Sequence, residues 1–152
     1  MSNAAQAHHF APGQGKTHRL WGMTLTFTTT APDNGGAYTL CEAIEPPGSG
    51  ASLHRHRYDE HFVICEGRYE FQLDGKTLQL GPGDMAFVPG GTPHGFKCLG
   101  PETGRQLLIS SPGGIFDAFI EEVAKAAAGA DASKPAPDFR AIAGRHGIEF
   151  VD

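Results

Sequence analysis

Three histidines and one glutamate have spacings that could bring them to a single metal ion. His54 and His56 are two positions apart, and Glu60 follows four positions later. Alternate side chains of a β-strand project to the same face, so the two histidines can chelate one cation. On a fully extended chain Glu60 would lie about 20 Å from His54. Glu60 therefore needs a chain reversal, which the polar segment 57–59 predicts.

A fourth candidate ligand follows a second turn. His94 comes directly after Pro-Gly-Gly-Thr-Pro at 89–93. The glycines of this segment permit positive φ and its prolines stop strand pairing, so His94 can enter the site from a non-adjacent strand. Burying four such polar side chains without compensation would cost on the order of several kcal/mol, which favours a metal site over a set of unrelated residues.

These residues resemble the two motifs of the cupin superfamily. The first motif is a glycine, five residues, His-x-His, three residues, a glutamate, six residues and a glycine, and it is matched in full from Gly48 to Gly67. The second motif is matched by Gly83, Pro89, Gly91 and His94. The asparagine that ends this motif in the family is replaced by Cys98. The chain is identified as a small single-domain cupin, similar to the quercetin-dioxygenase-like branch.

The resemblance implies that His54, His56, Glu60 and His94 hold one divalent transition metal. Three neutral imidazoles and one carboxylate would leave such an ion with a net charge of about +1 and, at octahedral geometry, two open positions. These ligand types do not decide between iron, manganese, nickel, zinc, cobalt and copper. The identity of the metal therefore stays open at this point.

The spacing of turn residues predicts an all-β fold. Twenty-one glycines and eleven prolines occur at intervals of about one strand. The patterns predict strands at 20–29, 37–45, 53–56, 60–66, 68–74, 77–80, 85–88, 94–99 and 105–110. This number suits a double-stranded β-helix, the cupin or jelly-roll barrel. The predicted organisation is a flexible N-terminal arm (1–18), a cupin barrel (19–112) and a C-terminal helical extension (113–152).

Helical spacing begins after the barrel segment. Apolar side chains recur with a helical period from Ile115 to Val123, which predicts a C-terminal amphipathic helix ending near Gly129. We expect its apolar face to pack on the outside of the barrel or against a partner subunit. Asp138 is expected to cap a short final helix.

Strand parity predicts the walls of a ligand pocket. On the strand of Glu60 the side chains of Phe62 and Ile64 should also point inward, and on the strand of His94 those of Phe96 and Cys98 should do so. His61 should point to the opposite face. An aromatic and aliphatic lining favours a small, partly apolar organic ligand.

These features predict a metal-dependent dioxygenase that acts on a phenolic or enol-type compound, with Glu60 as the catalytic base. Open coordination positions beside an apolar lining favour this function. Two alternatives remain. One is a non-catalytic, metal-containing cupin that binds a small molecule or has a regulatory role. The other is a metal-dependent isomerase or lyase that needs no dioxygen.

Composition limits the partners and the location. The net charge of −5 and the absence of a basic run argue against nucleic acid, and no apolar run approaches the roughly 18 residues of a membrane-spanning helix. The N-terminus lacks a secretion signal, and three cysteines without paired spacing fit reduced thiols, so a cytoplasmic location is predicted. Exposed edge strands predict a homodimer through segments 20–29 and 115–128.

Overall fold

The computed structural model describes residues 5–151, which form eleven strands and three helices. The strands in chain order are β1 (Lys16–Leu20), β2 (Met23–Thr29), β3 (Thr39–Glu45), β4 (Gly50–Arg55), β5 (Asp59–Glu66), β6 (Tyr69–Leu73), β7 (Lys76–Leu80), β8 (Met85–Val88), β9 (His94–Cys98), β10 (Gly104–Ser111) and β11 (Glu149–Phe150). The helices are α1 (Ala31–Asn34), α2 (Ile115–Ala128) and α3 (Phe139–Arg145).

The strands form two antiparallel sheets that enclose one core, which confirms the predicted all-β barrel. One sheet has the order β1-β2-β3-β10-β5-β8, and the other has the order β11-β4-β9-β6-β7. Alternate residues of β3 and β5 are buried, as the period of two in a half-buried strand requires. The rings of Phe62, Phe71 and Phe96 meet between the sheets with centroids 5.3–5.7 Å apart.

The prediction of one strand at 20–29 was wrong. The segment divides at Trp21 and Gly22, whose φ values of 52° and 78° make a tight turn between β1 and β2. Two consecutive residues with positive φ are typical of a two-residue hairpin. Leu20, Trp21 and Met23 are apolar, so no polar segment marks this turn in the sequence. In addition, β1 begins at Lys16, within the segment assigned to the N-terminal arm.

The predicted amphipathic helix is present as α2, and its apolar face packs on the chain's own barrel. Phe119, Ile120 and Val123 are buried in the same core as the strands. The side chain of Asp138 accepts a hydrogen bond from the backbone N–H of Ala141 at 3.0 Å, which confirms the predicted cap of α3. None of the helices in residues 5–151 is long and apolar enough to cross a membrane.

The last strand was not predicted. β11 has two residues, too few for a period to be recognised, and it pairs with β4 so that Phe150 lies opposite His54. This pairing folds the C-terminal segment back over the barrel. Residues from α2, α3 and β11 line the space between the sheets together with residues of the strands.

Candidate metal centre

Four side chains that could bind a metal converge inside the barrel. One ligand atom from each of His54, His56, Glu60 and His94 lies within 4.8 Å of the other three. His56, Glu60 and His94 are buried, and His54 is half-buried. The structure therefore brings together all four residues that the sequence singled out.

Two turns pack together to place these residues. β4 ends at Arg55 and β5 begins at Asp59, so the predicted reversal occurs and His56 lies in it. The turn before His94 lies against this reversal, where the backbone N–H of Gly91 donates to the carbonyl of His56 at 2.6 Å. A Cβ atom at Gly90 would lie 2.0 Å from the carbonyl oxygen of Arg57. Glycine at position 90 is thus required for the two turns to meet.

Backbone carbonyls orient the three imidazoles. The Nδ1 atoms of His54, His56 and His94 lie 2.7, 2.9 and 2.8 Å from the carbonyl oxygens of Ser52, Tyr58 and Thr92, respectively. Because a carbonyl oxygen only accepts, each Nδ1 carries the hydrogen. Each neutral ring then presents the lone pair of Nε2, the arrangement that metal-binding histidines use.

The donor set fits a divalent transition metal. Oε2 of Glu60 lies 2.9 Å from Nε2 of His56 and 3.1 Å from Nε2 of His94. Unprotonated nitrogens this close to a carboxylate oxygen repel it unless a proton or a metal cation lies between them. Neutral imidazole and carboxylate are ligands shared by zinc, iron, copper, nickel and manganese. The four residues therefore suit a divalent transition metal, but their types do not decide which one.

The pKa values of His54 and Glu60 suit metal binding. Burial and, second, the neighbouring His94 lower the pKa of His54 to about 4. Burial would raise the pKa of Glu60, but in the metal-free protein, where a proton can lie between each Nε2 and the carboxylate, the hydrogen bonds and charges of His56 and His94 lower it to about 2. At neutral pH His54 is thus a neutral donor and Glu60 an ionised one.

The cluster forms part of the wall of a cavity of about 310 Å³ between the sheets. His54 and Glu60 are among its polar lining residues, and the predicted pocket residues Phe62 and Phe96 also line it. Further apolar walls come from Leu108, Phe116, Phe139, Ile148 and Phe150. The C-terminal members of this set were missed because their sequence spacing does not show which face of the barrel they cover.

Two predicted pocket residues lie elsewhere in the core. Ile64 is buried but pairs with Gln106, farther along the sheet than the pair of Phe62 and Leu108 that lines the cavity. Cys98 is buried at the far end of β9, with its thiol 3.7 Å from the carbonyl of Glu102. The alternation of side chains correctly predicted that both residues point inward. It does not predict how far along the barrel each side chain lies.

His61 lies on the opposite face of β5, as expected. It is exposed, and its ring stacks on that of Phe87 with centroids 4.7 Å apart. One cavity residue that sequence reasoning missed is Glu45, a buried carboxylate at the end of β3. The available signal was its inward parity with Cys41 and Ala43 on a strand whose other inward residues carry no charge.

Comparison with known proteins supports the resemblance to cupins. A family model described as "Cupin domain" matches residues 42–110. The polyketide synthase CurC of Streptomyces cyaneus is 39% identical over 71 residues, which cover 46% of each protein. Quercetin 2,3-dioxygenase of Bacillus subtilis is 28% identical over 100 residues, or 64% of this chain and 28% of that enzyme. The chain therefore spans less than half the length of these two relatives.

Solved structures share the architecture. An RmlC-like cupin from Shewanella frigidimarina superposes with a TM-score of 0.59 at 24% identity, covering 72% of this chain and 95% of that one. The polyketide cyclase RemF from Streptomyces resistomycificus gives a TM-score of 0.62 at 24% identity, covering 70% of this chain and 80% of the other. The family model and the two matched motifs show that the chain contains a cupin domain, and the solved structures show that it has the same fold.

Proposed function

We propose that His54, His56, Glu60 and His94 bind one divalent transition metal and that the protein is a dioxygenase-like enzyme acting on a phenolic or enol-type compound. The observation that carries this proposal is the convergence of four metal-binding side chains, two of which, His54 and Glu60, line a largely apolar cavity. A metal bound there would supply a Lewis acid with coordination positions left for small molecules.

The chain's own residues have separate roles in this proposal. Glu60 is a buried carboxylate on the cavity wall, a position from which it can accept the proton of an enol or phenol hydroxyl. Phe62 and Phe96 flank the cavity and can hold a flat ring while excluding water. The carbonyls that bind the Nδ1 atoms keep the imidazoles from turning away during this exchange.

The cavity wall favours an uncharged aromatic ligand. At about 310 Å³ it lies near the lower end of ligand pockets, which span roughly 300–1,000 Å³. Among the described residues that line it, none is lysine or arginine. A phosphate or carboxylate ligand would lack a basic side chain to pair with there. The similarity to quercetin 2,3-dioxygenase supports a phenolic ligand and oxygen chemistry.

A second candidate uses the same site without dioxygen. The similarity to CurC, at the higher identity of 39%, favours a reaction on a polyketide, a class of compound with enolisable carbonyl groups. Proton transfer by Glu60 at such a group would serve an isomerisation, cyclisation or elimination. The two candidates share the metal, the cavity and the base, and they differ in the need for oxygen.

Oxygen dependence separates the two candidates. The protein would be loaded separately with Fe²⁺, Mn²⁺, Ni²⁺ and Zn²⁺ and mixed with quercetin and with 3-hydroxyflavone, under air and under argon. We expect oxygen uptake that matches flavonol loss under air and no loss under argon. Equal flavonol loss under argon would reject the dioxygenase and favour the second candidate. Binding without turnover in both atmospheres would instead indicate a binding module.

We also propose a homodimer, but with a different interface from the one predicted through segments 20–29 and 115–128. The apolar face of α2 is already buried against its own barrel and cannot serve the interface. β8 is instead an unpaired edge of the six-stranded sheet, and its Met85 and Phe87 are 75% and 51% exposed. Such an edge is suited to contact with a second copy. Light scattering at micromolar concentration should give twice the chain mass, and a monomer mass would reject the proposal.

A further inference from the structure

Glu45 is a second buried carboxylate on the wall of the cavity, and the proposed reaction gives it no role. It is the last residue of β3, and its side chain is 1% exposed. Along β10, Glu45 pairs with Gly104 whereas Glu60 pairs with Ser110. These positions are about 20 Å apart on an extended strand. The two carboxylates therefore reach the cavity from different parts of the barrel.

The hydrogen-bond partners of Glu45 are neutral. The hydroxyl of Tyr69 donates to its Oε2 at 2.5 Å, and Nε2 of Gln106 lies 3.0 Å from both of its oxygens. Across residues 5–151, no lysine, arginine or histidine forms an ion pair with Glu45. A buried carboxyl group without a cation is favoured in its protonated form. In keeping with this, burial raises the pKa of Glu45 despite the hydrogen bonds from Tyr69 and Gln106.

The surroundings of Glu45 are shaped around this polar cluster. A Cβ atom at Gly104 would lie 2.1 Å from the hydroxyl oxygen of Tyr69, so glycine at position 104 makes room for the phenol. Gln106 is fully buried, and its Oε1 has no hydrogen-bond partner in the described part of the chain. The cluster thus retains hydrogen-bonding capacity that the protein itself does not use.

We propose that Glu45 is kept as a neutral carboxylic acid and donates a hydrogen bond to a hydroxyl or carbonyl group on the part of the ligand that lies away from the histidines. Oε1 of Glu45 accepts one hydrogen bond, whereas Oε2 accepts two. Oε1 is therefore the oxygen that can carry the proton. This inference rests on the proposed function for the class of ligand. Glu45 is then a specificity-determining residue, which selects ligands with a second polar group beyond the enol or phenol oxygen.

Infrared difference spectroscopy tests the protonation state without any ligand. At pH 7 the spectrum of wild type minus Glu45→Gln should contain the carbonyl band of a protonated carboxyl group. The matched control is Glu42→Gln, on the same strand but paired with Arg105 at 2.8 Å, which should remove an ionised carboxylate band. Tyr69→Phe, which removes one hydroxyl, should shift the Glu45 band without abolishing it. Loss of an ionised carboxylate band in Glu45→Gln would overturn the proposal.

A pair of ligands tests the role in specificity. Quercetin has hydroxyl groups on both of its ring systems, whereas 3-hydroxyflavone has only the enol hydroxyl. Their dissociation constants would be measured under argon with metal-loaded protein. Glu45→Ala should weaken quercetin about tenfold and 3-hydroxyflavone less than about twofold, the size expected for one hydrogen bond. Glu45→Gln should stay within about threefold for both, because its amide still donates.

Two outcomes of the ligand experiment would overturn the proposal. Equal weakening of both flavonols would indicate a structural role for Glu45. A loss in Glu45→Gln as large as in Glu45→Ala would indicate an ionised acceptor instead of a donor. Failure of both flavonols to bind wild type would reject the phenolic ligand of the proposed function. The infrared band would then decide the state of Glu45 independently, and its absence would reject the neutral acid.

Discussion

Two carboxylates on the wall of one cavity, Glu60 and Glu45, are almost equally buried, and their pKa values are shifted in opposite directions. Their exposures are 3% and 1%, and burial acts on both to raise the pKa. At Glu60 two imidazoles outweigh burial and bring the pKa to about 2. At Glu45 a phenol and an amide do not outweigh it, and the pKa stays raised. The difference shows that the neighbouring groups, and not burial itself, decide which carboxylate keeps its charge.

This difference divides the cavity between two kinds of chemistry. An ionised carboxylate among imidazoles suits a metal cation and can accept a proton. A neutral carboxylic acid can instead donate a hydrogen bond to an uncharged polar group. The apolar side chains of Phe62 and Phe96 line the same cavity and suit the body of an aromatic ligand. The comparison therefore predicts different consequences for the same Glu→Gln change at the two positions.

The largest expected effect is on turnover. Glu60→Gln retains an oxygen ligand but has no basic carboxylate, so we expect some metal to remain and turnover to fall by about 100-fold or more. Turnover of the flavonol and metal content would be measured on the same samples. Glu42→Gln, on the outer side of β3, is the matched control and should match wild type. Full turnover in Glu60→Gln would remove Glu60 from the role of base.

A smaller effect is expected on stability at the Glu45 cluster. Tyr69→Phe removes the hydroxyl that donates to Glu45 and leaves a buried acceptor with one donor fewer. The free energy of unfolding should fall by about 1–3 kcal/mol. Tyr38→Phe, at an exposed tyrosine, should change it by less than about 0.5 kcal/mol. Both can be measured by urea denaturation of metal-free protein. Equal effects of the two substitutions would show that Tyr69 and Glu45 are not coupled.

A further expected effect is a pair of opposite pH dependences in metal-free protein. The pKa of Glu60 is lowered from 4.5 to about 2, so its contribution to stability is present above pH 4.5 and is lost as the pH falls through 2. The pKa of Glu45 is raised from 4.5, so its contribution is full below pH 4.5 and is lost as the pH rises through the raised value. In Glu60→Gln the thermal midpoint should depend less on pH than in wild type at acid pH. In Glu45→Gln it should depend less on pH than in wild type above pH 4.5. The reverse assignment would contradict the comparison.

Much of the histidine site could be predicted from the sequence, because its information is local. The alternation of His54 and His56, the turn before His94 and the parity of Glu60 each depend on a few neighbouring residues. The structure places all four ligand atoms within 4.8 Å of one another. The strands that carry them also follow from short-range turn and parity signals.

The rest of the cavity depends on contacts between distant segments. Glu45 receives its partners from β6 and β10, which lie 24 and 61 positions away in sequence. Phe150 reaches the cavity only because β11 pairs with β4. The hairpin at Trp21 was missed for a local reason, since apolar residues flank it and no polar segment marks it. Pairing between distant strands carries no signature in a single sequence, so these features had to come from the structure.

The metal content of purified protein shows whether His54, His56, Glu60 and His94 form a metal site. Wild type and the variants His56→Ala, His94→Ala and His61→Ala would be loaded with one divalent transition metal, desalted and measured by elemental analysis. His61 is the matched control because it lies on the outer face of the strand that carries Glu60. We expect about one metal per chain in wild type and His61→Ala, and well below one in His56→Ala and His94→Ala. Undiminished metal in either His56→Ala or His94→Ala would contradict this metal site.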